Sequence, residues 1–109
     1  MFEIIKSSSF ERRFLNLKDR GTKARIQVRV DRLALGNPGD TKIVRDGIHE
    51  MRVDCGPGYR VYYIHKGLMV IVLLVGGDKS SQDSDIERAI SLANNWQEVK
   101  NVRNIFTLG

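Results

Sequence analysis

Two arginines, a glutamate and a tyrosine, spaced alternately in two short segments, are the residues of this chain best suited to chemistry on a phosphodiester. The segments read Glu-Met-Arg-Val at positions 50–53 and Arg-Val-Tyr-Tyr at positions 60–63. Because alternate residues of a β-strand point to opposite faces of a sheet, pairing the segments as a hairpin places their polar members on one face: Glu50, Arg52, Arg60 and Tyr62. The other face then holds Met51, Val53, Val61 and Tyr63. Guanidinium groups hold phosphate oxygens, and a carboxylate or phenol can transfer protons, so the sequence predicts a core on one face and a site on the other.

The N-terminal third predicts one short strand and two helices. Phe2–Ile5 is rich in strand formers, and Ser8, followed three residues later by Glu11, fits a capping box at a helix start. From Thr22 to Leu35 the apolar residues fit both strand and helix spacing. The length of that segment and the stop signal Gly36-Asn37-Pro38-Gly39 favour a helix.

The rest of the chain predicts a meander of strands and a final helix. Three segments alternate or are apolar throughout, as strands do: Ile48–Asp54, Tyr59–His65 and Leu68–Val75. They are separated by turns at Gly56-Pro57-Gly58 and Lys66-Gly67, and Lys42–Arg45 is interpreted as a short strand or an arm. A cap at Asp83 or Ser84 predicts the last helix. The predicted order is β-α-α-β-β-β-α, an α+β fold in a single domain over 1–109, with the tail 101–109 unassigned.

Composition favours one basic, cytoplasmic domain. The 109 residues are 41% hydrophobic, enough for a single core. The longest apolar run, Leu68 to Val75, is far shorter than the roughly 20 residues that cross a bilayer, so no membrane association is expected. A single cysteine, Cys55, is compatible with a reducing compartment. The net charge of +5 favours an anionic partner.

Four short motifs, in this order and spacing, resemble the RelE/ParE toxin superfamily, and most closely its HigB-like branch of addiction module killer proteins. The motifs are Gly36-Asn37-Pro38-Gly39-Asp40, Glu50-Met51-Arg52, the segment 56–63 (Gly-Pro-Gly-Tyr-Arg-Val-Tyr-Tyr) and the segment 76–82 (Gly-Gly-Asp-Lys-Ser-Ser-Gln). The resemblance runs from about Phe2 to Ala93. It implies an antiparallel sheet with helices packed on one face, a C-terminal helix, and a basic cleft on the other face.

The resemblance also implies a function. RelE-like members are toxins of type II toxin-antitoxin modules that cleave messenger RNA on the ribosome without a metal or other cofactor. The implied partners are an antitoxin with a helix-turn-helix domain, messenger RNA and the ribosome. Two alternatives stay open: inhibition of DNA gyrase in the manner of ParE, and a non-catalytic protein that binds an antitoxin and regulates its operon.

By resemblance, Arg52 and Arg60 lie where the family places basic residues against the scissile phosphate, and Glu50 lies where some members carry a general base. Other members carry a catalytic His or Tyr near the end of the last strand. Here neither follows Val75, and Lys79 stands in that region.

The residues themselves leave several roles open. Arg60 is the best candidate to stabilise phosphate charge, with a cross-strand salt bridge to Glu50 or Asp54 as the alternative. Glu50 is either a base or a residue that orients the arginines. Tyr62 either stacks on an RNA base or is a half-buried strand tyrosine. Two further RNA-binding candidates precede a helix N-terminus, which favours anions: Lys79 and Gln82. No metal site is expected, since His49, His65 and Cys55 lack ligand spacing.

Overall fold

Five strands form one mixed sheet in the order β1-β5-β4-β3-β2, with helices on both of its faces. The computed structural model describes residues 1–56 and 58–108, and side chains as far as Trp96. In chain order the elements are β1 (Glu3–Lys6), α1 (Ser8–Leu15), α2 (Arg20–Ala34), β2 (Thr41–Arg45), β3 (Ile48–Val53), β4 (Tyr59–Lys66), β5 (Val70–Asp78), a 3-10 turn (Lys79–Ser81) and α3 (Gln82–Leu108).

The α+β class is confirmed, but three details of the predicted architecture are wrong. The sheet is not purely antiparallel, because β1 pairs in parallel with β5. Of the two interpretations of Lys42–Arg45, the strand is confirmed: it lies within β2, which pairs with β3, so the predicted order lacks one strand of the meander. Helix α3 packs on the face opposite α1 and α2, so the helices do not all cover one face.

The first core lies between the sheet and the two N-terminal helices. Ile26, Val30 and Leu33 recur at helical spacing along α2 and are all buried. They pack on the apolar sheet face predicted from strand alternation: Met51, Val53, Val61 and Tyr63. Each fully buried aliphatic side chain of this kind contributes about 1.5–3 kcal/mol to folding. The helical interpretation of this segment is therefore confirmed.

Capping residues set the ends of the helices. Helix α1 begins one residue earlier than predicted, because Ser7 Oγ accepts a hydrogen bond from Phe10 N (3.0 Å) and donates one to Leu74 O (2.5 Å). Helix α2 ends at Ala34, two residues before the predicted stop glycine: Gly36 has φ +90° and its N–H bonds back to Leu33 O. Helix α3 begins at Gln82, before the predicted Asp83 or Ser84, because Asp78 caps the preceding 3-10 turn.

The second core lies between the sheet and α3. Ala89 is fully buried against a strand face that includes Tyr62, Leu74 and Val75. Leu74 and Val75 are neighbours in β5 and yet both face this core, because the strand has a bulge there. Tyr62 pairs with Val75, whereas the next residue, Tyr63, pairs with Leu73. Beyond the bulge, the shifted register brings Gly77 opposite Arg60.

Two sequence predictions concern segments that lie partly outside the described residues. The turn after β3 includes Pro57, which lies outside the described residues, although Gly56 and Gly58 on either side have positive φ as such a turn requires. The unassigned tail from residue 101 continues the α3 backbone to Leu108, while its side chains and residue 109 lie outside the description. Within the described residues, no helix combines the length and apolar character needed to cross a bilayer.

Candidate functional site

A carboxylate with no exposed surface, Glu50, lies at the centre of the polar cluster. Strand β3 carries it, and β4 places Tyr62 directly opposite. The Tyr62 hydroxyl donates a hydrogen bond to Glu50 Oε2 (3.1 Å), and Gln82 Nε2 donates a second one to the same oxygen (2.9 Å). A buried carboxylate is stable only with such donors and nearby positive charge.

Three cations surround this carboxylate. Arg60 Nε lies 3.6 Å from Oε2, Arg52 Nε lies 3.7 Å from Oε1, and Lys42 Nζ lies 3.9 Å from Oε1. These are ion pairs at longer than hydrogen-bond distance. Among the described residues, Glu50 Oε1 and Arg60 Nε are buried without a hydrogen-bond partner. Three positive charges against one negative charge leave the cluster with an excess of two positive charges.

The cluster opens to solvent through its arginines. The Arg60 side chain is 11% exposed and the Arg52 side chain 46% exposed. Both line a cleft of about 310 Å³, named the Arg60 cleft, together with Arg29, Lys79 and the carboxylate residues Asp40 and Asp54. Arg29 is fixed there, because its Nη1 donates to Arg52 O (2.5 Å) and its Nη2 to Pro38 O (2.8 Å). The Arg60 cleft therefore presents four cationic side chains, of which Arg29 is held by two hydrogen bonds to the backbone.

Strand register confirms that Glu50, Arg52, Arg60 and Tyr62 share one face. In the β3–β4 pair, Glu50 lies opposite Tyr62 and Arg52 lies opposite Arg60. Their accessibility differs from the expectation of an open cleft, however, because α3 covers part of this face. The two arginines reach the cleft, while the glutamate and the tyrosine lie beneath it.

Tyr62 is completely buried, so in this conformation no RNA base can stack on its ring. Burial, and then the adjacent Glu50 carboxylate, raise the pKa of the Tyr62 hydroxyl well above its ordinary value. The hydroxyl therefore stays protonated and serves as a donor to Glu50. Local alternation predicted its face but could not predict that α3 would cover it.

Of the other residues considered in the sequence, only some lie at the Arg60 cleft. Lys79 lines the Arg60 cleft, whereas the Gln82 amide is bonded to Glu50. His49 and His65 lie on the opposite face of the sheet in ring contacts with Tyr63. Cys55 is buried, with its Sγ 3.8 Å from Val53 O.

Two basic residues of the site were missed by sequence reasoning. Lys42 lies opposite Glu50 in the β2–β3 register, and interpreting Lys42–Arg45 firmly as a strand would have found it. Arg29 comes from α2, where nothing in the helical spacing distinguishes it from the other exposed arginines of that helix.

Gly77 leaves space for a cluster of side chains, named the junction, that positions the start of α3: Arg13, Ser81 and Asp85. A Cβ added at Gly77 would lie 2.0 Å from Asp85 Oδ2 and 2.9 Å from Arg13 Nη1. In this space Ser81 Oγ donates to Asp85 Oδ2 (2.6 Å), and Arg13 pairs with Asp85 Oδ1 (3.3 Å). The junction thus joins α1, β5, the 3-10 turn and α3, next to Lys79 and Gln82.

The fold and site together define a class: a small α+β protein with a mixed five-strand sheet and a basic cleft built around a buried glutamate. Within the described residues, no group of three or more His, Cys, Asp or Glu side chains is placed to hold a metal ion. No protein-family model matches the sequence. The chain is 46% identical over 91 residues to an uncharacterized protein of Haemophilus influenzae (strain ATCC 51907 / DSM 11121 / KW20 / Rd), covering 84% of this chain and 92% of the relative. The chain therefore belongs to the same family as that protein.

Proposed function

We propose that this protein is the toxin of a type II toxin-antitoxin module, of the RelE/ParE superfamily and its HigB-like branch. In this proposal it cleaves messenger RNA endonucleolytically in association with the ribosome, without a metal ion. The observation that carries the proposal is the pair Arg52 and Arg60, held by the buried Glu50 at a cleft that Lys79 also lines.

Arg60 suits the role of phosphate ligand because its two ends face different surroundings. Its Nε faces Glu50, at 3.6 Å from Oε2. Its Nη1 lies toward Gly58, where an added Cβ would be 3.9 Å away, and Gly58 lines the Arg60 cleft. The terminal N–H groups make no hydrogen bond within the described residues, so they are available to two phosphate oxygens.

The proposed reaction is attack by a ribose 2'-oxygen on the adjacent phosphorus. The bond from phosphorus to the 5'-oxygen breaks, the 2'-hydroxyl loses its proton to solvent water, and the leaving 5'-oxygen gains one from solvent water. The products are a 2',3'-cyclic phosphate and a 5'-hydroxyl end. Negative charge builds up on the phosphate oxygens between these steps, and Arg60 with Arg52 stabilises it.

Glu50 is best assigned to positioning rather than to proton transfer. A general base must come within hydrogen-bond reach of the proton that it abstracts, and Glu50 has no exposed surface. Its two oxygens instead face the two arginines, and the hydrogen bonds from Tyr62 and Gln82 fix its orientation. Of the two roles open from the sequence, the proposal takes the orienting one.

The proposed partner is a co-encoded antitoxin with a helix-turn-helix domain. A groove of about 310 Å³ on α2, lined by Arg25, Arg29, Arg32 and the apolar Val28 and Val53, offers an acidic, amphipathic segment both charge and apolar contacts. Affinity capture of the tagged protein from its native host, followed by mass spectrometry, should recover such a partner. Recovery of no co-encoded protein would contradict this part of the proposal.

Brief induction followed by primer extension on cellular messages tests the activity. The wild-type protein should produce new 5' ends within coding sequences, and Arg60→Ala should produce none at equal expression. Arg45→Ala is the matched control, since Arg45 is exposed, pairs with Glu87 and lies in β2 outside the Arg60 cleft. Growth arrest with altered DNA supercoiling and no new RNA ends would instead indicate gyrase inhibition. Absence of both effects would indicate a non-catalytic regulator.

A further inference from the structure

Two further clefts adjoin the Arg60 cleft in turn, because each shares lining residues with its neighbour. The middle cleft, of about 360 Å³, shares Gly58 and Tyr59 with the Arg60 cleft. The distal cleft, of about 380 Å³, shares Arg13 and Leu17 with the middle cleft. Because neighbouring clefts have walls in common, the three form one series.

The distal cleft has the chemistry of a phosphate site. Arginines from two helices converge on it, Arg12 and Arg13 from α1 and Arg88 from α3, together with the side chains of Ser9 and Asn16. Arg13 is already paired with Asp85. The guanidinium groups of Arg12 and Arg88 make no ion pair or hydrogen bond with any described side chain or backbone group. Two unpaired guanidinium groups beside a hydroxyl and an amide suit an anion with several oxygens.

The middle cleft has different chemistry. Two of its walls are the carboxylates of Asp19 and Asp78. Hydrogen bonds from Thr22 and Gly21 lower the pKa of Asp19, and hydrogen bonds from Ser80 lower that of Asp78, so both are ionised at neutral pH and repel a phosphate. Two cationic residues, Arg13 and Lys18, offset these charges, and Arg13 is already paired with Asp85. Other walls are hydroxyl-bearing or apolar: Thr22, Ser80, Ser81, Leu17 and Cys55. Carboxylates and hydroxyls in a partly apolar cleft suit a nucleoside, whose amino and hydroxyl groups can donate to them.

We infer that the three clefts form one track for single-stranded RNA, with the distal cleft as a second phosphate subsite. The scissile phosphate lies at Arg52 and Arg60, a neighbouring nucleoside crosses the middle cleft, and a further phosphate of the same strand lies at Arg12 and Arg88. The middle cleft, where charges balance, lies between two clefts with an excess of cations, and this order matches the alternation of nucleoside and phosphate along a strand. The inference rests on the proposed function for its first position and extends it by the distal subsite.

Binding of non-cleavable 2'-O-methyl RNA tests this inference. The probes are a dinucleotide, whose single phosphate cannot occupy both phosphate subsites, and a single strand of roughly 12 nucleotides, measured by fluorescence anisotropy across a salt series. Removing one cation that neutralises a phosphate should reduce the log–log salt slope for single strands by about 0.7. Because Arg12 and Arg88 hold the same phosphate, the double variant Arg12→Ala/Arg88→Ala should lower the slope for the longer strand by about 0.7 and weaken its binding at least tenfold at moderate salt, while the dinucleotide affinity stays the same.

A matched comparison separates the track from general charge. Arg88→Ala and Arg45→Ala each remove one exposed arginine, but Arg45 lies outside the three clefts. Only Arg88→Ala should weaken binding of the longer strand, and thermal melting should show both variants folded. Equal effects of the two variants, or no effect of Arg12→Ala/Arg88→Ala, would overturn the track.

Two other outcomes separate a failure of the track from a failure of the proposed function. Wild-type protein that binds the dinucleotide and the longer strand with equal affinity overturns the track but leaves the proposed function standing. Wild-type protein that neither binds nor cleaves RNA, with or without ribosomes, overturns the proposed function, and the track with it.

Discussion

Glu50 shows how one buried charge can set the geometry of two exposed ones. It accepts hydrogen bonds from Tyr62 and Gln82 at one oxygen, and it faces Arg52 and Arg60 at distances of 3.7 and 3.6 Å. The arginine side chains are long and flexible, and holding one end of each guanidinium lowers the entropy lost when a phosphate binds. The carboxylate therefore acts on the substrate through the arginines.

Replacing Glu50 by Gln tests this positioning role. The amide keeps the shape and still accepts from Tyr62 and Gln82, but it no longer holds the arginines by charge. We expect weaker RNA binding and slower turnover together, with an unchanged shape of the pH–rate profile. A general base contributes about 10²–10⁴-fold to the rate. A loss of that size at saturation, with unchanged RNA affinity and a missing acid limb in the profile, would make Glu50 the base after all.

Lys79 lines the Arg60 cleft at the start of the 3-10 turn and should bind phosphate without catalysing the reaction. An ammonium is a mobile point charge, suited to positioning rather than to abstracting a proton. Lys79→Ala should lower RNA affinity and reduce the salt slope by about 0.7, while turnover at saturation falls little. Lys23→Ala, on α2 outside the cleft, is the control. An unchanged slope with collapsed saturated turnover would instead identify Lys79 as a proton donor.

For single residues, the sequence predicted the sheet face of a side chain better than its burial and its contacts. Strand alternation is a local property, so the shared face of Glu50 and Arg60 followed from their positions in β3 and β4. The burial of Tyr62 and the bond from Gln82 to Glu50 depend on where α3 packs, which no local pattern specifies. The same limit explains why Arg29 was missed.

Among the secondary-structure elements, the junction of α1, β5 and α3 most directly controls the site. Asp85 is almost fully buried there, receives a hydrogen bond from Ser81 and pairs with Arg13. Arg13 Nη1 also donates to Gly76 O (3.0 Å), where β5 extends beyond its partner β1. These contacts fix the 3-10 turn and hence the positions of Lys79 and Gln82.

Gly77→Ala should disrupt this junction. The new Cβ would lie 2.0 Å from Asp85 Oδ2, so the carboxylate must move away from Ser81. Overpacking of this kind costs about 1–3 kcal/mol, which lowers the melting temperature by roughly 4–8 °C per kcal/mol in a domain of about this size. RNA cleavage should fall as well.

Gly21→Ala is the matched control for that substitution. Gly21 lies in the first turn of α2, and its added Cβ would meet nothing closer than Asp19 Oδ1 at 3.5 Å. Alanine is the better helix former, so this variant should melt at the same or a higher temperature. A Gly77→Ala protein as stable as wild type would contradict the account of the junction.

The sequence predicted which segments form helices and strands more reliably than it predicted how the strands pair and where the helices pack. The Gly36 stop and the i, i+4, i+7 spacing from Ile26 correctly indicated α2. The parallel pairing of β1 with β5 was missed because a strand of four residues carries no local mark of its partner or direction. The apolar stripe of α3 predicted that the helix packs on the sheet, but both sheet faces carry apolar residues, and the stripe does not select between them.

For the molecule as a whole, stability should decrease in mild acid through His49. Partial burial, and then the charge of nearby His65, lower the pKa of His49 below its ordinary value of 6.5. The unfolded chain therefore takes up this proton more readily than the folded one. The contribution of His49 to stability is present above about pH 6.5 and is lost as the pH falls toward the folded pKa.

Urea unfolding midpoints between about pH 5 and pH 8 would measure this effect, and His49→Gln should reduce the pH dependence. The carboxylates with lowered pKa, Asp19 and Asp78, lose their contributions to stability only near and below pH 3.8. They therefore do not affect the unfolding midpoints between about pH 5 and pH 8. A midpoint for the His49→Gln variant that falls with acid as steeply as that of wild type would contradict the assignment.

The proposed activity is tested most directly by the chemistry of the cut. Ribosomes programmed with a short message, in the presence of EDTA at a concentration that leaves the ribosomes intact, should yield fragments ending in a 2',3'-cyclic phosphate and a 5'-hydroxyl. A single 2'-deoxy substitution at the cleaved nucleotide should abolish that cut, since it removes the attacking oxygen. Arg60→Ala should slow the wild-type cut by about 10²–10³-fold, because it removes a preorganised donor to the developing phosphate charge. Cleavage of the 2'-deoxy message, or a full cleavage rate with Arg60→Ala, would contradict the account.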